Sequence, residues 1–357
     1  MTLAGRLAGS LAGSLAGGLA GGGSSTPPPT VNAGTDASFD MLSASPHTHD
    51  GSGDASSYLW TKISGPGTPT WADNTSPTST VKFDADGVYV LDLAGTGPGG
   101  TTHDQVTITV TATQSALLTR MQSAGRTCIF YEVGFEETVT TGLYDGLGDL
   151  GPAGIDQAQT LAARPSKVAG GGPNGKDGMV FQDAARFMIN TAVAIAGGKN
   201  LYIGGVLKSA AALSNQFCIH NNNNPDLATK SALFGAQTAG GNKFFVTSGT
   251  NSGANQNCAL TSPAHHTNWF RWDHRFAAGV VPVSRINGAA VSPLFTTPTG
   301  AAFAVESIVL GRYGGFSSGG FYLGYAFEDV GTAAGTACLG EQDAIDYYIG
   351  KQTAVFF

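Results

Sequence analysis

Ser57-Tyr58-Leu59-Trp60-Thr61-Lys62-Ile63-Ser64-Gly65-Pro66-Gly67 is the stretch on which the fold class turns. Aromatic and β-branched residues fill it, a Trp sits at its centre and Gly-Pro-Gly ends it, which describes a strand running into a turn. Outward from it, short alternating runs recur at Ala37 to Leu42, Ser79 to Phe83, Val88 to Leu93 and Gln105 to Thr111. Breaks rich in Gly, Pro, Asn and Asp separate them every ~8–12 residues, the pattern of an antiparallel β-sandwich. Residues 30–113 are therefore expected to form one sandwich with Trp60 in its core.

Composition agrees with a β-rich chain. Gly is 52 of 357 residues, about twice the usual share, and charged residues are 12 % against an ordinary ~25 %. Helical bundles, coiled coils and charged disordered chains are excluded. The net charge of −7 argues against an extended phosphate-binding surface, so no nucleic-acid partner is expected. Residues 23–113 carry nine Asp, no Glu and no Cys against Lys62 and Lys82, whereas residues 114–357 are nearly balanced. That shift places a domain boundary near residue 113. The four cysteines, Cys128, Cys218, Cys258 and Cys338, lie far apart in the second segment with no C-x-x-C pair, which fits free thiols better than a zinc knuckle.

Residues 3–22 repeat the tetrapeptide LAG(R/S/G) five times in register, then Pro27, Pro28 and Pro29 make a stiff spacer. As a helix the repeat aligns Leu3, Leu7, Leu11, Leu15 and Leu19 in one stripe beside a groove of glycines. Each mid-helix Gly costs about 0.5–1 kcal/mol relative to Ala, so the repeat needs a partner to order. Residues 1–29 are accordingly expected to be an assembly anchor retained in the mature chain. A floppy tail, a secretory signal and a membrane helix are the competing readings. Beyond residue 22 no stretch reaches the ~20 apolar residues that cross a bilayer.

In residues 114–357 a short helix is expected at Ser115 to Met121, with Leu117, Leu118 and Met121 on one face. Strands are expected at Cys128 to Val133, Gly178 to Gln182, Asn200 to Lys208, Lys243 to Thr247, Trp269 to Phe276, Val281 to Ile286, Val305 to Arg312 and Phe321 to Asp329. A closing helix at Gly340 to Lys351 aligns Ile345, Tyr348 and Ile349 for packing. About 240 residues with eight or more strands suits a jelly roll.

Two resemblances follow from these residues. VNAGTDASF, SYLWTKISGPG, SPTSTVKFDADGVYVLDL and DQVTITV resemble a PKD-type Ig-like module of bacterial surface and phage proteins. The acidic D-x-D-G that precedes the Trp strand in its best-known form is replaced by His47-Thr48-His49-Asp50-Gly51-Ser52-Gly53-Asp54. This spacing matches neither an EF-hand nor a zinc pattern, so an exposed hairpin loop without metal is expected. GLYDGLGDLGPAGI, NGKDGMVFQDAARFMI, KNLYIGGVLK, WFRWDHRF, RINGAAV, SIVLGRYGGFSSGGFYLGYAFEDV and EQDAIDYYIGK, in that order, resemble a concanavalin A-like domain of the laminin-G type found in phage structural proteins. The fold class expected is thus all-β: an Ig-like sandwich (30–113) followed by a concanavalin A-like jelly roll (114–357), behind the anchor.

No catalysis is expected. Laminarinase-type glucanases of this fold need paired carboxylates on one strand, and the single E-x-D here, Glu341-Gln342-Asp343, begins a helix, where acids suit the helix dipole. Glu132, Glu136 and Glu137 have unsuitable spacing. Binding has better candidates. Alternation in Trp269 to Phe276 puts Phe270, Trp272 and Phe276 on one face and Trp269, Arg271, Asp273 and Arg275 on the other, where a ring beside charges would suit a sugar. A surface ion-paired strand edge is the plainer reading. Asn221 and Asn223 are further candidate glycan contacts, in a run that also makes a good turn. No cofactor is expected. The expected role is a bacteriophage virion structural protein (head decoration, head fibre or tail appendage) at the virion surface, homo-oligomeric, joined to other virion proteins through residues 1–29 and touching a host glycan. A secreted bacterial adhesin module and a degenerate glycosidase are the alternatives.

Overall fold

A computed structural model describes residues 26–43, 45–123, 126–151, 154, 156–158, 164–181, 188–190, 195–199, 201–209, 214–220, 231–237, 243–248, 257–258, 268–276, 283–291, 303–305, 307–310, 319–328 and 337–353. The chain is all-β, with two helices, and divides into two compact units. The first comprises residues up to Phe39 with His47–Val81 and Ala85–Val110; the second comprises Asp40–Pro46, Lys82–Asp84 and everything from Thr111 onward.

In the first unit a four-stranded antiparallel sheet runs in the order Ala37–Asp40, Gly100–Thr111, Gly87–Gly97, Ser57–Ser64. A three-stranded sheet, His47–Asp50, Thr78–Lys82, Thr70–Trp71, forms a second layer. Trp60 is buried, as are Tyr89, Leu91, Leu93, Val106 and Ile108, the inward-facing set that alternation prescribes. Its indole N–H donates to the carbonyls of Ser76 and Pro77 at 3.1 and 3.2 Å, and its backbone N–H to the carbonyl of Asn74 at 2.8 Å. The expected loop over His47–Asp50 is instead a strand paired with Thr78–Val81. The reason lies in the side chains: His49 stacks on Trp60, ring centroids 4.8 Å apart and nearly parallel, so an aromatic contact draws the segment into the sheet. Among the described residues no three His, Cys, Asp or Glu side chains gather to hold a metal ion.

In the second unit the strand Gly319–Glu328 is central. Leu201–Ser209 pairs along its whole length on one side, and Cys128–Glu132 and Gly178–Phe181 pair end to end on the other. Beyond Leu201–Ser209 come Phe270–Phe276, Val283–Ile286 and Ala289–Val291. The Val283 hairpin closes at Asn287 and Gly288, both at positive φ (47° and 77°), the two-residue turn that Asn-Gly favours. On the other flank lie Ser166–Val168, Leu143–Leu147 and Glu137–Thr140. A second array contains Met188–Asn190, Ser307–Leu310, Ser214–His220, Ser231–Gln237, Lys243–Ser248 and Asn257–Cys258.

Two helices flank these strands. The first, α1 (Gln114–Ser123), buries Leu117, Leu118 and Met121 as its spacing requires. The second, α2 (Glu341–Thr353), buries Ile345, Tyr348 and Ile349. Cys128 and Cys338 are free thiols, and burial pushes the Cys128 thiol up to about 12; the side chains of Cys218 and Cys258 lie outside the described residues.

The His49 stack makes the first unit acid-sensitive. Burial, and then the neighbouring His47, lower the His49 imidazole from 6.5 to about 4, against an opposing pull from Asp50. The folded state therefore refuses a proton that the unfolded chain accepts, and stability present above pH 6.5 is lost as pH falls toward about 4. Hydrogen-exchange protection across residues 47–50 and 78–82 is expected to fall over that window in the wild type and to stay level in His49→Phe, which keeps the ring but cannot titrate. Equal pH dependence in both proteins would contradict this account.

Candidate functional site

Cross-strand register gathers the polar chemistry of the second unit onto one sheet face. Asp273 lies opposite Gly204 and Arg285, Gly204 opposite Tyr325, and Tyr325 opposite Phe130; two residues along, Glu132 lies opposite Leu323. Directly opposed residues project to the same side, so Arg271, Asp273, Arg285, Tyr202, Tyr325, Phe130 and Glu132 share a face. Phe270 and Trp272 occupy the other, and both are buried.

The expected solvent-facing platform is corrected here. Arg271 and Asp273 are 0 % and 1 % exposed, because α2 lies over their side of the sheet. Arg271 Nη2 donates to Tyr202 Oη at 3.0 Å, Tyr325 Oη at 3.1 Å and Asp346 Oδ1 of α2 at 2.5 Å, and lies 3.4 Å from Asp273 Oδ2. Arg285 reinforces the lattice. Its Nε bonds Asp273 Oδ1 at 2.6 Å, and its two Nη atoms grip the Asp346 carboxylate at 3.0 and 3.1 Å in a bidentate fork. Gly204 is required beneath them, since a Cβ there would collide with the Tyr325 hydroxyl. Trp269 is half-buried with its ring over Gly320, away from the charged lattice. Asn221 and Asn223, like Leu3, Leu7, Leu11, Leu15 and Leu19, lie outside the described residues.

Sequence reasoning missed a second cluster on the same face. Glu132 is fully buried and accepts three hydrogen bonds: from Gln114 Nε2 of α1 at 2.7 Å, Tyr322 Oη at 2.9 Å and Tyr348 Oη of α2 at 2.8 Å. Burial pushes this carboxyl above the usual carboxylate range, and its three donors and Lys176 oppose the shift. The one signal available was a lone acid inside the apolar run Cys128-Ile129-Phe130-Tyr131-Glu132-Val133, since an acid is almost never fully buried without partners. The other candidate carboxylates are also engaged at separate places. Glu137 pairs with Lys167, and Glu341 with Arg126 at the start of α2, while Asp343 is exposed one helical position beyond Gln342. No pair of acids flanks a cleft with the geometry of glycoside hydrolysis among the described residues.

Comparison with known proteins matches residues 34–110 to a PKD domain family, so this segment is a PKD-type Ig-like module. No curated protein matches the chain. Similar solved structures include a GH54 α-L-arabinofuranosidase soaked with a cyclic sulfate inhibitor (14 % identity, TM-score 0.38, covering 60 % of this chain and 50 % of that one). Another is the binding domain of paraclostridial mosquitocidal protein 1 (10 % identity, TM-score 0.41, 62 % and 51 %). A third is domain 4 of AbnA, a GH43 extracellular arabinanase from Geobacillus stearothermophilus, in complex with arabinotriose (11 % identity, TM-score 0.29, 62 % and 87 %). The chain spans about half the length of the first two.

Both clusters give measurable expectations. Arg271→Met leaves Asp273 and Asp346 short of a buried partner and should cost about 3–5 kcal/mol in urea unfolding; a loss near zero would show that the pair is dispensable. For Glu132 the folded carboxyl titrates above its ordinary value of 4.5, so its stabilising contribution is fullest below that value and is lost as pH rises through the folded one. The stability margin of wild type over Glu132→Gln, read from urea midpoints between about pH 4 and 8, should shrink as pH rises. A margin that widens with pH would reverse the assignment.

Proposed function

We propose that this protein is a non-enzymatic structural component of a bacteriophage virion, a head decoration, head fibre or tail appendage, present in several copies. Residues 1–29 fix it to the particle, the PKD-type module spaces it, and the second unit faces outward to contact glycans of the host surface. The observation that carries the non-enzymatic part is the fate of the chemically capable side chains. Arg271, Asp273 and Glu132 are buried and consumed in holding helices onto a sheet. A repeat that needs a neighbour to order supports the anchoring part, and low charge with high Gly suits close assembly.

The test removes residues 1–22 from the chain and follows two readouts. Expected is a folded protein that no longer co-purifies with particles, while its signal on a glycan array is retained. An unchanged particle load would overturn the anchoring role. Recovery of the chain with its N-terminus cleaved near residue 22 would favour the secreted adhesin. Polysaccharide hydrolysis abolished by changing one acid would favour the degenerate glycosidase.

A further inference from the structure

Where α2 meets the Val283–Val291 hairpin, the second unit carries an open cleft of about 400 Å³ lined by Arg285, Gly288, Leu339, Asp343, Asp346 and Tyr347. Five of these residues are partly exposed and Asp343 is exposed. We infer that this cleft is a binding site for a neutral saccharide, with Tyr347 and Asp343 as its contacting residues and Arg285 and Asp346 as its rigid floor. The inference rests on the glycan-contact reading above and gives it a place.

Four features point to a neutral polyol. The floor is pre-organised: Arg285 and Asp346 are locked in their bidentate pair, and behind them Asp273, Arg271 and Tyr202 hold both in position. A site whose groups are already fixed loses little entropy on binding, which matters for a ligand that offers only hydroxyls and one apolar face. The charges also select. Arg285 is neutralised by its two carboxylate partners, and Asp343 adds a negative charge at the rim, so the cleft repels phosphate, sulfate and sialic acid while offering acceptors to vicinal hydroxyl pairs. Tyr347 supplies an aromatic surface in the wall, the kind on which the apolar face of a sugar ring packs. At the hairpin tip Gly288 contributes no side chain, which leaves the backbone open to close approach.

This assignment moves the sugar contact from Trp269, Arg271 and Asp273 to the outer edge of the same lattice. It also separates binding from folding, because Asp343 makes no hydrogen bond or ion pair among the described residues, and its replacement leaves the lattice intact.

Saturation-transfer difference NMR on the full chain, with methyl glycosides of glucose, galactose, rhamnose and N-acetylglucosamine and with sialyllactose as the anionic contrast, tests the site. At least one neutral glycoside is expected to show transfer and sialyllactose none. Tyr347→Ala and the isosteric Asp343→Asn are each expected to weaken binding about tenfold or more, with unchanged circular dichroism for Asp343→Asn. Transfer that persists at wild-type strength in both variants would overturn the cleft while leaving glycan contact standing elsewhere on the chain. Sialyllactose binding that depends on Asp343 would overturn the neutral-sugar assignment. No transfer from any glycoside, together with a blank glycan array, would overturn both the cleft and the glycan-contact reading.

Discussion

The ion pair between Arg271 and Asp346 is the constraint around which the second unit is organised. Two charges with almost no access to water are tolerable only when geometry and hydrogen bonds repay their desolvation, and here two phenols, a second arginine and a second carboxylate do so. Those partners come from four separate strands and one helix: Leu201–Ser209, Phe270–Phe276, Val283–Ile286, Gly319–Glu328 and α2. The pair thus fixes the rotation of α2 as well as its position, because a helix held by apolar contacts alone could slide by a turn with little penalty. The triple hydrogen bond to Glu132 meets α2 at Tyr348 and α1 at Gln114, so the same sheet face fastens both helices.

A sheet with both faces covered has an unusual polarity here. The inward face is apolar in the ordinary way, with Phe270, Trp272, Ile203 and Ala326 buried. The helix-covered face carries arginines, aspartates, tyrosines and a glutamate, which apolar packing would normally exclude. Such a face discriminates between correct and incorrect docking, since any misplacement of α2 strands a buried charge. In the first unit the corresponding role falls to aromatic stacking, where His49 and Trp60 join one sheet to the other across the sandwich.

Local patterns carried much of this architecture. Trp60 in a core strand, the apolar stripes of Leu117, Leu118 and Met121 and of Ile345, Tyr348 and Ile349, and the Asn287-Gly288 turn were all legible, because each depends on residues close together in the chain. Strands such as Glu137–Thr140, Leu143–Leu147 and Ser231–Gln237 were not, since they are short or rich in Gly, Thr and Ala and owe their state to distant partners. The site shows the same limit. Alternation correctly put Arg271 and Asp273 on one face, but period two says nothing about what covers that face. The covering residue, Asp346, lies 75 positions from Arg271, in a helix whose apolar residues had already accounted for its presence. His49 was obscured for a similar reason, as its ring partner lies on another sheet.

That α2 completes a surface built from strands beginning at Cys128 has a bearing on synthesis. While residues 341–353 are still within the ribosome, the charged face of the sheet has no cover, and Arg271 and Asp273 must remain wet. Closure of this body therefore waits on nearly the last segment to emerge, so a nascent chain paused before that point would present an open, hydrated sheet to chaperones and to its sister chains.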